Sequence, residues 1–249
     1  MILVTLISSL LISFLFLCWG SFLNVVAYRL LHQKPFFAPR SRCVSCKNII
    51  AWYDLIPLFS WLFLRGRCRS CSATISWLYF LIELLALTVF WGIILFTHPS
   101  YWISYFLLFS ALLITIRTDL ENMVILRIFS LGLIPLGLLL SYFGYLPITL
   151  TESLLGILIG FGFLWLTKTI YFLLTNAVGM GEGDPELLAG IGAFVGPWAC
   201  WNVLVAASFA GSLIGLFLVL KYGAIARKYP LPFGPFLALG TFITILFNL

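Results

Sequence analysis

Apolar residues in this chain come in runs long enough to cross a bilayer, and the runs recur from one end to the other. Eight stretches qualify, at 2–22, 77–96, 101–117, 124–143, 153–174, 187–201, 203–221 and 232–248. Each approaches the roughly 20 apolar residues that a transmembrane helix needs. Backbone polar groups in lipid must be satisfied within the segment, so repeated spans of this length imply helices. Hydrophobic residues make up 63% of the 249 positions and charged residues 9%, against roughly half and a quarter in soluble domains. The expected fold is an all-α polytopic membrane protein of about eight transmembrane helices. Pro197 and Trp198 give the only break between the sixth and seventh runs. Pro135 inside the fourth, and Pro232 and Pro235 at the last, predict kinks or offset starts. Apolar residues begin at Ile2 with no basic segment before them, so the first run is expected to be a retained helix.

The charges orient these spans. Eight of the 14 Lys and Arg residues (Arg29, Lys34, Arg40, Arg42, Lys47, Arg65, Arg67 and Arg69) fall between the first two runs, beside a single acid, Asp54. Positive-inside bias places that loop in the cytoplasm and the N-terminus outside. Threading eight spans from there puts Arg117, Arg127, Lys221, Arg227 and Lys228 at cytoplasmic ends, with Lys168 near one. The loops at 97–100, 144–152 and 197–202, expected outside, hold no Lys or Arg. The net charge of +6 therefore reflects membrane topology and gives no reason to expect nucleic acid as a partner.

The basic loop also carries Cys43-Val44-Ser45-Cys46 and Cys68-Arg69-Ser70-Cys71. Paired C-x2-C knuckles of this kind suit tetrahedral zinc, and four thiolates leave no open position for chemistry. The expected metal ligands are Cys43, Cys46, Cys68 and Cys71, holding a structural zinc in a cytoplasmic loop domain. Against four unrelated loop cysteines stands the doubling of the spacing. Lys47, Arg67 and Arg69 are expected to help keep the sulfurs ionised. Trp52, Tyr53 and Trp61 between the knuckles suit an interfacial level, while Cys18 and Cys200 read as small apolar residues.

Acids are few, and five of the eight lie in two stretches: Asp119 and Glu121, then Glu182, Asp184 and Glu186 within Gly179-Met180-Gly181-Glu182-Gly183-Asp184-Pro185-Glu186. The third run ends just before Asp119 and the fifth leads into the glycine-rich loop. Both run inward, so the two aspartates share the cytoplasmic boundary. Ionisable groups there are functional candidates. Two close carboxylates divide hydrolytic work, one ionised to take a proton from water and one protonated to donate. Asp119 and Asp184 are thus the expected catalytic pair. The bland readings are that Asp184 caps a helix ahead of Pro185 and that Asp119 ends a helix facing water. Glu121, Glu182 and Glu186 read as solvated or electrostatic. Glu83 lies inside the second run, where an acid is expensive. It is either bonded to a neighbouring helix or faces a cofactor-sized second site.

Taken in order, further motifs are similar to those of one family. Gly20-Ser21-Phe22-Leu23-Asn24-Val25-Val26, Trp52-Tyr53-Asp54-Leu55-Ile56-Pro57, Leu64-Arg65-Gly66-Arg67-Cys68, the stretch from Gly179 to Asp184, and Pro232-Phe233-Gly234-Pro235-Phe236 resemble the type IV prepilin peptidases, membrane aspartic proteases of the GxGD class. The resemblance runs nearly the whole length. It implies that Asp119 and Asp184 cut the leader from prepilin or pseudopilin precursors after a glycine, at the cytoplasmic face of the bacterial inner membrane. It further implies N-methylation of the new N-terminus with S-adenosylmethionine. Residues 1–97 would then form the methyltransferase-associated domain with the zinc loop, and 98–249 a six-span peptidase domain. Such enzymes serve type IV pili, type II secretion or DNA uptake, and work among membrane lipid.

Three departures stand out. Leu126-Arg127 replaces a Pro-Asp, Glu186 replaces a lysine, and Ile75 to Tyr79 lacks an arginine and proline usual before Glu83. A peptidase without methylation is the nearest alternative. A proton-coupled transporter leaves the cysteine knuckles unexplained, and a zinc-ribbon adaptor leaves the matched acids unexplained.

Overall fold

A computed structural model of the chain describes residues 2–35, 40–177, 179–223 and 230–247. Among them the regular structure is helical: α1 (Ile2–Leu31), α2 (Phe59–Phe63), α3 (Trp77–Phe96), α4 (Trp102–Asn122), α5 (Arg127–Tyr142), α6 (Leu150–Thr175), α7 (Gly183–Tyr222) and α8 (Gly234–Phe247). Five helical segments are long and apolar enough to cross a membrane: Thr5–Leu31, Trp77–Phe96, Pro99–Asn122, Leu150–Thr175 and Gly183–Tyr222. With 16 and 14 residues, α5 and α8 are about 24 and 21 Å long, short of the roughly 30 Å hydrocarbon core. The expectation of eight full spans is thereby corrected to five, two shorter apolar helices and a fold-back within α7. Arg227 and Lys228 lie outside the described residues.

The fold-back follows from two adjacent residues. The 40 residues of α7 are two helical limbs joined at Gly196, which has φ 79° and ψ 179° and is followed by Pro197. Glycine takes positive φ without a Cβ penalty, and proline, lacking an N–H, opens a new helical limb naturally. The chain reverses there, because Cys200 Sγ lies 4.0 Å from the Leu188 carbonyl. Twelve positions along a straight helix would separate them by about 18 Å. The expected break is real but sits before Pro197, so Trp198 to Trp201 belong to the second limb rather than to the first.

Two compact units divide the chain, Met1–Trp91 and Gly92–Leu249. In the first, α1 and α3 pack antiparallel. Trp91 Nε1 donates to Ser13 Oγ at 2.9 Å, and Asn24 Nδ2 to the Tyr79 carbonyl at 3.1 Å. Between these, a Cβ on Gly20 would come within 2.7 Å of the Ala86 Cβ, the close approach through small residues by which helices associate in lipid. The apolar run predicts an end to α1 at residue 22. The helix continues to Leu31 because no breaker intervenes and the buried Asn24 finds its partner on α3.

In the second unit, the first limb of α7 is the centre. Leu187, Leu188, Ile191 and Phe194 are essentially inaccessible. Gly156 of α6 and Gly192 of α7 meet backbone to backbone, and Ser153 Oγ donates to the Ala193 carbonyl at 2.7 Å. Gly137 of α5 closes on Ala193 from another side. A side chain at this crossing must push α6 off the central limb. Gly192→Leu is expected to cost about 3 kcal/mol or more, seen as a lowered unfolding temperature of the detergent-solubilised protein. Leu173→Ala, at an exposed site, is the control expected to change little.

Candidate active site

Asp119 lies on the last turn of α4, which runs on to Asn122 instead of ending at 117. Met123 closes the helix in the left-handed region (φ 55°), its N–H bonding the Asp119 carbonyl. The Asp119 side chain does not face water, as the bland reading required, but is 4% exposed. Its Oδ2 accepts the Gly234 N–H at 2.9 Å. Gly234 is the first residue of α8, so the carboxyl sits at a helix N-terminus, where negative charge is favoured. A Cβ at Gly234 would lie 2.8 Å from that oxygen, so a side chain there would displace the carboxyl. No sequence signal marks this contact, although Pro232 and Pro235 flag a helix start there.

Asp184 lies on the first turn of α7 and is 5% exposed. The capping reading is corrected: the cap position belongs to Glu182, which makes no side-chain cap bond. The Asp184 carboxyl instead turns back to a backbone hydrogen bond with Gly181. A Cβ at Gly181 would approach its Oδ2 to 2.9 Å, so the glycine-rich loop is what lets the chain close on this side chain. Asp184 lies within electrostatic range of Asp119 and of Lys168. The two aspartates are thus brought together, both buried, each holding one backbone N–H.

The neighbouring acids are all engaged. Glu121 pairs with Arg117 one turn earlier, and Arg117 is itself buried. Glu182 is exposed and lies 3.6 Å from Arg127 Nη2 and 4.0 Å from Lys168 Nζ. Glu186, mostly sheltered, meets Arg127 Nε at 3.3 Å and accepts from Ser130 Oγ at 3.4 Å. Beside the loop, a cleft of about 550 Å³ is lined by Thr167, Met180, Trp201, Gly211 and Phe233 among others.

The first unit holds a second cluster. The Sγ atoms of Cys43, Cys46, Cys68 and Cys71 all lie within 4.8 Å of one another, with Cys43 and Cys71 at 3.8 Å. A tetrahedron with metal–sulfur bonds near 2.3 Å has edges of about 3.8 Å, so the cluster is sized for a metal ion. The two knuckles repeat the same backbone pattern. Cys43 N bonds the Asn48 carbonyl and Lys47 N the Cys43 carbonyl; Cys68 N bonds the Ala73 carbonyl and Ser72 N the Cys68 carbonyl. Lys47 and Ser72 both take positive φ, and the bridges Arg42–Ile49 and Arg67–Thr74 close the two turns.

Backbone N–H groups of Cys46 and Ser45 hold the Cys43 thiol down to about 6. Cys71 is pushed up to about 11: the Ala73 N–H lowers it, but burial and proton sharing with Cys46, Cys68 and Cys43 outweigh that. The expected help from Lys47 and Arg69 is corrected. Lys47 Nζ bonds the Val44 carbonyl at 2.7 Å, and Arg69 makes a bidentate pair with Asp54 at 2.9 and 2.7 Å.

Glu83 of α3 is 6% exposed and accepts the Leu58 N–H on Oε2 at 2.8 Å. Ser21 of α1 also bonds it. Leu58 takes positive φ (60°), a conformation costing of order 1–3 kcal/mol for a bulky residue. Glu83 is the group that holds it. Both contacts lie within the protein, one on a neighbouring helix and one at the Leu58 corner. Glu83→Leu leaves the Leu58 amide unpaired, a cost of about 1–3 kcal/mol. Limited proteolysis is expected to cut the Trp52–Phe63 segment faster in that variant.

Known proteins match the chain along most of its length. Residues 14–97 match the model described as Bacterial Peptidase A24 N-terminal domain, and residues 106–219 the Type IV leader peptidase family. The chain is 35% identical to the prepilin leader peptidase/N-methyltransferase of Aeromonas hydrophila, over 92% of this chain and 87% of that protein. It is 32% identical to the protein of the same name from Dichelobacter nodosus, over 92% and 88%. It is 35% identical to the type 4 prepilin-like proteins leader peptide-processing enzyme of Escherichia coli O78:H11, over 91% and 89%. No solved structure matches. The chain belongs to the type IV leader peptidase family.

Proposed function

We propose that this membrane protein cuts the leader from prepilin-like precursors and methylates the N-terminus so exposed, with Asp119 and Asp184 as the hydrolytic pair. The observation that carries the reading is the burial of two carboxylates, one closing α4 and one opening α7, within electrostatic range of each other. Cleavage follows a glycine. One ionised aspartate accepts a proton from water as the water oxygen bonds the scissile carbonyl carbon. The protonated partner donates to the carbonyl oxygen. Collapse of the tetrahedral adduct breaks the C–N bond, and the leaving nitrogen takes a proton from the pair. Burial excludes bulk water, which strengthens every charge interaction in the site. The cleft beside Met180 and Phe233 takes apolar side chains of the substrate.

The charge distribution supports the pair facing the cytoplasm of the inner membrane. Residues 1–97 are the methyltransferase-associated domain and 98–249 the peptidase domain. Zinc held by Cys43, Cys46, Cys68 and Cys71 shapes the first of these without touching substrate. S-adenosylmethionine supplies the methyl group when bound, and Glu83 contributes by holding the Leu58 corner.

The purified protein, given a prepilin precursor and S-adenosylmethionine, is expected to yield a product beginning immediately after the glycine and one methyl group heavier. An unmethylated product reduces the function to peptidase alone. An uncut precursor contradicts the reading.

A further inference from the structure

Asp184 stands on a helix start that lacks its own fastening. The cap residue, Glu182, makes no side-chain cap bond, and an uncapped first turn has orphan N–H groups and frays. Acids at 182, 184 and 186 crowd that turn. Glu182 and Glu186 are four positions apart, so they share a face and repel. Something outside α7 must hold the turn in place.

The beginning of α5 meets it on every count. Arg127 reaches Glu182 with Nη2 at 3.6 Å and Glu186 with Nε at 3.3 Å, gripping the residues two before and two after Asp184. Ser130, buried on the next turn, donates to the other Glu186 oxygen at 3.4 Å. A Cβ on Gly183 would lie 2.7 Å from the Ile125 Cβ, and one on Gly190 2.7 Å from the Ser130 carbonyl. The backbone is therefore pressed against the same segment that carries the charges. Lys168 adds a second cation, 4.0 Å from Glu182.

We propose that Arg127 is a positioning residue for leader removal: by bridging Glu182 and Glu186 it sets the orientation of the Asp184 carboxyl toward Asp119. The inference rests on Asp184 being catalytic. Arg127 is largely exposed, and exposed ion pairs add little to stability. Its loss therefore appears in rate, because misplacing a reacting group by about 1 Å can cost around a hundredfold.

The test is steady-state cleavage of a purified precursor by Arg127→Ala, Glu186→Ala, Arg127→Lys and the reversed pair Arg127→Glu with Glu186→Arg. The alanine variants are expected to lose about ten- to a hundredfold in kcat, with KM and unfolding temperature near wild type. Arg127→Lys and the reversed pair are expected to recover most of that loss. Wild-type kcat in Arg127→Ala overturns the proposal, as does a reversed pair no better than the single variants. An equal fall in unfolding temperature and rate assigns Arg127 a structural role only, which also overturns it. Asp184→Asn in the same assay separates the two claims. If it is active, the catalytic reading fails; if it is inactive while Arg127→Ala is normal, only the positioning role fails.

Discussion

Asp119→Asn and Asp184→Asn are each expected to reduce leader removal by about a thousandfold or more, while the protein still folds. Asparagine keeps the shape of each side chain but neither accepts a proton from water nor donates one as an acid. General acid–base catalysis by one positioned group contributes about a hundred- to ten-thousandfold, and paired groups fail together. The fold tolerates the change. In Asp119→Asn the amide carbonyl still accepts the Gly234 N–H, in place of the 2.9 Å bond in the wild type. In Asp184→Asn the side chain keeps a hydrogen bond to the Gly181 backbone. Cleavage in detergent, followed by the mass of the shortened precursor, checks the rate, and thermal unfolding checks the fold.

Replacing Cys43 and Cys68 together with serine removes one sulfur from each knuckle and is expected to lower bound zinc from about one per chain to none. Structural zinc in small Cys-rich modules contributes about 10 kcal/mol or more of binding free energy, which is folding free energy for the loop that carries it. The segment has little regular structure of its own. Among the described residues of 40–76 the regular elements are a 3-10 turn at Trp52–Leu55, the short α2 and two isolated bridges. The loop is expected to open to protease and N-methylation to be lost. Elemental analysis and limited proteolysis read the first effect, and product mass the second. Leader removal is expected to continue, because Asp119 and Asp184 lie in the other compact unit.

The sequence exposes the helical membrane class through its apolar runs, the four-cysteine cluster through its doubled spacing, and the two aspartates through the crowding of acids at matched ends of two apolar runs. It also marks the α7 reversal at Pro197, one residue late, because Gly196 carries the positive φ that turns the chain. What it hides depends on contacts between distant residues. The extension of α1 to Leu31 rests on Asn24 meeting Tyr79, and the role of Glu83 on the amide of Leu58. Gly234 reaches Asp119 from the last helix, across 115 positions. The departures at Arg127, after Asp119, and at Glu186, after Asp184, are separate anomalies in one dimension. In three, Arg127 and Glu186 pair with each other. Helix lengths are also poorly legible, because a kink or a short apolar helix has the same composition as a full span.

The central claim is that Asp119 and Asp184 act as one unit. Single-turnover cleavage by wild type, Asp119→Asn, Asp184→Asn and the double variant measures this directly. The double variant is expected to be no slower than the slower single variant, since removing either carboxyl already disables the pair. Losses that multiply, or near-wild-type cleavage by either single variant, would show that the two carboxylates do not share the reaction.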